Sequence, residues 1–233
     1  MVLPVRPKEP PINSRLSAPP EDLVNRTLET VGKKSVILMG YRHTLFSPRL
    51  EFSGAEMWCQ SYSIRSWDWA LYDWSRYFDV HTLGPQGQYS GIRITRPDVL
   101  DWYYRQGPER PIYFAEDVPN MRAAVRYPIE RMEAEFGPGH FGCQLDYMLA
   151  LAIFEKFERI IMSGNGAPYV DNPKSDQARK WYQRHSSAIG WLRLAQERGI
   201  EIVFHGPCMY RPFDGAYGFD MGSEPAVRRS DYA

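Results

Sequence analysis

Apolar positions along the chain fall into two kinds of block. The first kind is short, mostly apolar runs of strand length: Val36-Ile37-Leu38-Met39 closed by Gly40, Met57-Trp58-Cys59, Tyr77 to Leu83, Pro111-Ile112-Tyr113-Phe114, Ile160-Ile161-Met162, and Ile200 to Phe204. Such runs, bounded by turn residues, predict buried strands. The second kind repeats at three- and four-residue spacing and predicts helices. Ile64, Trp67, Leu71 and Trp74 make one such stripe, and Ile129, Met132 and Phe136 make another that begins at Pro128 and stops at Gly137-Pro138-Gly139. Pro97-Asp98 opens a helix through Tyr104, stopped by Gly107-Pro108, and a short helix is expected over Glu21 to Thr30. From about Ser175 to Arg198 the stripe is Trp181, His185, Ala188, Leu192 and Ala195, with Gly199 as C-cap.

One helix differs from the others. Tyr147 to Phe154 is apolar or aromatic at every position and rich in Leu, Ala and Met, so it predicts a helix buried on most sides with only a polar first turn. It feeds the Ile160 strand, which ends abruptly in Ser163-Gly164-Asn165-Gly166. Strands alternating with helices of ten or more residues predict an α/β fold, Rossmann-like, with a mostly parallel sheet and helices on both faces. The domain spans about residues 21–206. Residues 1–20, with six prolines among polar residues, predict a disordered arm, and residues 207–233 a Gly-, Pro- and aromatic-rich tail.

Composition narrows the function. The 233 residues carry 28 Lys+Arg and 28 Asp+Glu, so nothing in the overall charge points to nucleic acid or an anionic membrane. No run approaches the roughly 18 apolar residues of a membrane helix. Three scattered cysteines, Cys59, Cys143 and Cys208, with no C-x-x-C, indicate neither a zinc ribbon nor a disulfide framework, and a cytoplasmic location is the default expectation. Trp58, Trp67, Trp69 and Trp74 crowd one region and are read as core rather than as a sugar or base platform.

Neither G-x-G-x-x-G nor a P-loop follows the first strand, where the sequence is Gly40-Tyr-Arg-His-Thr, and no G-x-S-x-G follows any strand. Asp79-x-His81 and the stretch 171–176 offer carboxylates without a ligand motif, so no metal site is assigned. Loops at the carboxyl ends of parallel strands form the ligand crevice of open α/β sheets. Three histidines fall there on this map: His43 after the first strand, His81 at the end of the third, and His205 at the end of the last. Histidine suits proton transfer near neutrality. His81 and His205 are therefore catalytic candidates, and Gly40, Arg42 and His43 candidate ligand contacts. Gln144 and Asp146, in the first turn of the buried helix, and Ser163, Gly164, Asn165 and Gly166, which permit close backbone approach, complete the crevice. Asp146 has a simpler alternative role as complement to the helix dipole.

Cys143 to Gly164, then a long helix and Ile-Glu-Ile-Val, resembles a group of tailed-phage proteins, themselves similar to the sialyltransferases of glycosyltransferase family 42 and to motility-accessory glycosyltransferases. Those sialyltransferases read Ser-Gly-Val-Tyr-Met-Cys-Ala-Val-Ala-Ile, then a strand ending Ser-Gly-Ile-Asp. Tyr147, Met148, Ala150, Ala152, Ile153, Ser163 and Gly164 match that pattern. Gln144 stands where the family has serine, and Gly40-Tyr-Arg-His-Thr replaces its Gly-Asn-Gly-Pro-Ser. The resemblance implies a nucleotide sugar as donor, no metal or other cofactor, a histidine base near His185 and a phosphate-side tyrosine near Tyr182. It also implies a phage protein acting in the host cytoplasm.

The expectation is thus a metal-independent, nucleotide-sugar-dependent glycosyltransferase-like protein with a small-molecule nucleotide-type ligand. Two alternatives stay open: a non-catalytic nucleotide-binding or virion/host-interaction protein on the same fold, and a nucleoside or nucleotide hydrolase. Homo-oligomerisation is also left open.

Overall fold

The computed structural model describes residues 32–40, 48–61, 74–80, 97–165, 176–205, 208 and 210, with the backbone alone for 50, 97–100 and 176–185. Seven strands form a single sheet in the order β5-β4-β3-β2-β1-β6-β7, and every neighbouring pair is parallel. They are β1 (Ser35–Met39), β2 (Glu56–Gln60), β3 (Arg76–Asp79), β4 (Ile112–Phe114), β5 (Ala124–Arg126), β6 (Arg159–Ser163) and β7 (Glu201–His205). A 3-10 turn at Pro48–Leu50 precedes β2, and the described helices are α1 (Pro97–Arg105), α2 (Ile129–Phe136), α3 (Gln144–Phe154) and α4 (Asp176–Glu197).

The strands alternate faces, and each face has its own core. Val36, Leu38, Trp58, Phe78, Ile160 and Met162 point to the side covered by α2, α3 and α4. Ile37, Met39, Met57, Cys59, Tyr77 and Ile161 point to the other, where Phe52 and Tyr103 of α1 cover them. This period of two explains why the central strands read as continuous apolar runs, since both faces are dry. The α/β reading and the helices on both faces are thus realised, and the sheet is parallel throughout.

The apolar helix α3 is buried from Leu145 to Ile153 except at Tyr147, because α2 and α4 flank it while the sheet lies beneath. Gly199 caps the following helix at φ +78°, a conformation glycine adopts without strain.

Several expectations need correction. The third strand stops at Asp79 rather than reaching Leu83, and Val80 already lies outside it. Trp74 ends no helix: it sits buried just ahead of β3, against Tyr77 and Trp102. Strand β5 was not expected, since it is an edge strand with Ala124 half-covered and Val125 and Arg126 exposed, and it forms no apolar run. Tyr210 is buried against the α3/α4 side of the core, so the tail region begins with an anchored residue. The expected helices over Glu21–Thr30 and Ile64–Leu71, and the arm 1–20, lie outside the described residues.

Candidate ligand-binding crevice

Strand order reverses at β1, which pairs with β2 on one side and with β6 on the other. That is the switch point at which ligands enter open parallel sheets, beyond the strands' carboxyl ends. Here the chains leaving β1 and β6 touch backbone to backbone. The Gly40 amide donates to the Ser163 carbonyl at 2.8 Å. A Cβ on Gly40 would lie 2.5 Å from the Gly164 carbonyl carbon and 2.8 Å from Asn165 Cα, so only glycine fits. Gly164 turns the chain at φ +66°. Buried Asn165 then ties the two strand ends together, its Nδ2 donating to the Leu38 carbonyl at 2.9 Å and to the Ser163 carbonyl at 3.0 Å.

Next to this crossing, β6 and β7 bring two predicted residues into register: Ser163 pairs with His205. Both point to the α1 side of the sheet, and Ser163 Oγ lies 2.9 Å from His205 Nδ1. The other ring nitrogen, Nε2, is 3.3 Å from Oε1 of Glu51. Phe52 meets the imidazole edge-on, with ring centroids 5.8 Å apart. Ser163 is fully buried, whereas the side chains of His205 and Glu51 keep 17% and 23% exposure, so the chain of contacts runs from the interior toward the surface. Glu51 was not anticipated. It follows the 3-10 turn in a polar stretch without a motif, and only the folded chain brings it to β7.

On the opposite face of the sheet the start of α3 reaches the same edge. Gln144 accepts a hydrogen bond at 2.7 Å from Ser61, which follows β2. Asp146 is directed elsewhere. Its Oδ2 accepts from the amides of Gly142 (2.7 Å) and Cys143 (2.9 Å) and from the Ser187 hydroxyl of α4 (2.8 Å). Asp146 therefore caps α3 and fastens it to α4, and it takes up the amides of Gly142 and Cys143 just ahead of the helix. Burial raises its pKa, against the pull of these hydrogen bonds. Burial, helped by the Asp146 charge, pushes the neighbouring Cys143 thiol up to about 12, so it stays a thiol and is no nucleophile at neutral pH.

The structure thus brings Gly40, Ser163, Gly164, Asn165 and His205 together, with Gln144 at the same edge. Tyr182 and His185 belong to the α4 backbone, while their side chains lie outside the described residues, as do Arg42, His43, His81 and Gly166 entirely. Among the described residues no group of three His, Cys, Asp or Glu side chains could hold a metal ion, and no helix is long and apolar enough to cross a membrane.

Chemically, this arrangement offers a backbone floor for close approach and a serine–histidine–carboxylate series beside it. No protein-family model, curated protein or solved structure matches the chain.

Proposed function

We propose that the chain binds a nucleotide-type ligand across the carboxyl ends of β1 and β6 and, as an enzyme, transfers a glycosyl group from a nucleotide sugar without a metal. The observation that carries the binding half is the Gly40 crossing at the switch point, where the two strand ends meet backbone to backbone. The transferase half rests on the sequence resemblance to family 42 sialyltransferases through Tyr147, Met148, Ser163 and Gly164. A second reading, nucleotide binding without turnover, draws support from the complete burial of Ser163.

Thermal denaturation against nucleotides and nucleotide sugars, with and without EDTA, tests the proposal. A ligand at 100 times its Kd adds about 2.7 kcal/mol, or roughly 5–10 °C for a chain of this size. The expected result is a shift with one nucleotide series that survives EDTA and disappears in Gly40→Ala, whose new methyl forces the two strand ends apart. Midpoints that do not move with any nucleotide would sink the site.

A further inference from the structure

We propose that Glu51 and His205 form the hydroxyl-binding pair of this crevice, with Glu51 as the base and neutral His205 as a hydrogen-bond donor; the inference rests on the nucleotide-sugar reading above. Two arguments fix the proton on His205. The Ser163 hydroxyl is fully buried, and His205 Nδ1, at 2.9 Å, is its hydrogen-bond partner. If Nδ1 carried the hydrogen, it would donate to Ser163 and leave the serine hydrogen buried without an acceptor. On the far side of the ring, Nε2 faces the Glu51 carboxylate at 3.3 Å, and a carboxylate accepts rather than donates. The buried serine is satisfied only when it donates to Nδ1, which leaves the ring proton on Nε2, the nitrogen that lies toward Glu51.

This inverts the role expected of the histidine. The one basic lone pair of neutral His205 is turned into the protein, onto Ser163, where no ligand proton reaches it. The partly exposed side of the pair presents an N–H and a carboxylate next to each other. A hydroxyl is the group that matches both, accepting from Nε2–H while donating to Glu51. At 3.3 Å the direct contact is long for an N–H···O bond, so lengthening it to admit such a group sacrifices little. Phe52 against the ring edge and Ser163 at Nδ1 hold the imidazole plane in place.

In the transfer step the acceptor O–H breaks and its proton passes to the Glu51 carboxylate. The acceptor oxygen then forms a bond to the anomeric carbon of the nucleotide sugar, as the bond from that carbon to the phosphate oxygen breaks. The electron pair leaves with the nucleotide phosphate, and Glu51 returns its proton to solvent. Ser163 is a positioning residue in this scheme, while Glu51 and His205 touch the substrate.

The experiment follows release of free nucleotide from CMP-, UDP- and GDP-linked sugars by chromatography, with water as the acceptor hydroxyl. Removing a general base costs about 10²–10⁴-fold in rate. Glu51→Gln keeps a carbonyl to accept from Nε2–H but cannot take a proton. It is expected to lower turnover at least about 100-fold while the thermal shift with free nucleotide stays at the wild-type value. Nitrogen NMR of histidine-labelled protein is expected to show His205 as the Nε2–H tautomer in both wild type and Glu51→Gln. Wild-type turnover in Glu51→Gln overturns the inference, as does an Nδ1–H tautomer, or a nucleotide that binds without any turnover. In each of these cases nucleotide binding survives, whereas failure of the parent reading is recognised by the loss of every nucleotide shift.

Discussion

The Asp146 carboxyl is the clearest case of a single side chain whose charge state the fold controls. One oxygen receives three hydrogen bonds, while Oδ1 is buried and meets no partner among the described residues. Its folded pKa is raised, chiefly by burial. The folded state therefore holds this proton more tightly than the unfolded chain does. The associated stability is fully present below the unfolded value of about 3.9 and is lost as pH rises through the raised folded value. Asp146→Asn keeps an oxygen for the three donors and removes the charge. Urea midpoints measured from pH 4 to pH 8 are expected to fall less with rising pH in Asp146→Asn than in wild type; parallel slopes would refute the account. Asp146→Ala, which loses the cap and the Ser187 link, should be less stable by about 1–2 kcal/mol at every pH. From the sequence, Asp146 could be recognised as a first-turn acid, but Ser187 lies on another helix, and no local rule announces that contact. Glu51 escaped notice for the same reason. Ser163 and His205 were legible because each ends a predicted strand, a position the chain writes locally.

At the scale of elements, legibility follows burial. Helix α3 and strands β1 and β6 are apolar at nearly every position because both of their faces are covered, so their runs stand out. Strand β5 is half-covered at Ala124 and exposed at the next two residues, and it left no hydrophobic trace. The edge of the sheet at the strands' amino-terminal ends is joined by charge instead. Arg76, at the start of β3, donates to Glu56 at 3.0 Å and to Glu155, just past α3, at 2.6 Å, and lies over the Trp58 ring. Burial pulls the guanidinium pKa down, but the Glu155 hydrogen bond and the surrounding charges hold it above its ordinary value. This clamp fixes α3 against β2 and β3. Arg76→Met leaves two carboxylates facing each other without their cation. With Arg76 18% and Glu155 26% exposed, the expected loss lies between surface and buried ion pairs, roughly 2 kcal/mol in urea denaturation. Arg76→Lys should recover only part of it, since an ammonium cannot span both acids and stack on the indole.

Across the whole molecule, alternation of strands and helices betrayed the fold class, but strand order is a property of the assembled sheet. Nothing local in β6 states that it returns to lie beside β1, yet that pairing creates the crevice. The same sheet separates two kinds of work. Its amino-terminal edge carries ion pairs such as Arg159 to Glu201 (2.9 Å) and Lys33 to Glu201 (2.8 Å), whereas Ser163 and His205 sit at the other end of the same two strands. Arg159 and Ser163 bound one five-residue strand, about 13 Å apart at roughly 3.3 Å per step. The described hydrogen bonds of the two ends share no side chain. Glu201→Ala, which takes away the carboxylate that Lys33 and Arg159 share, should therefore lower stability and, on the proposed function, leave nucleotide affinity unchanged. Ser163→Ala should weaken the crevice at the other end, and the stability losses of the double variant should add to within about 0.5 kcal/mol. Coupling well beyond that, or a loss of nucleotide affinity in Glu201→Ala, would mean that strain passes along β6 from one edge to the other. In that case the crevice could not be treated as a site set on an independent scaffold.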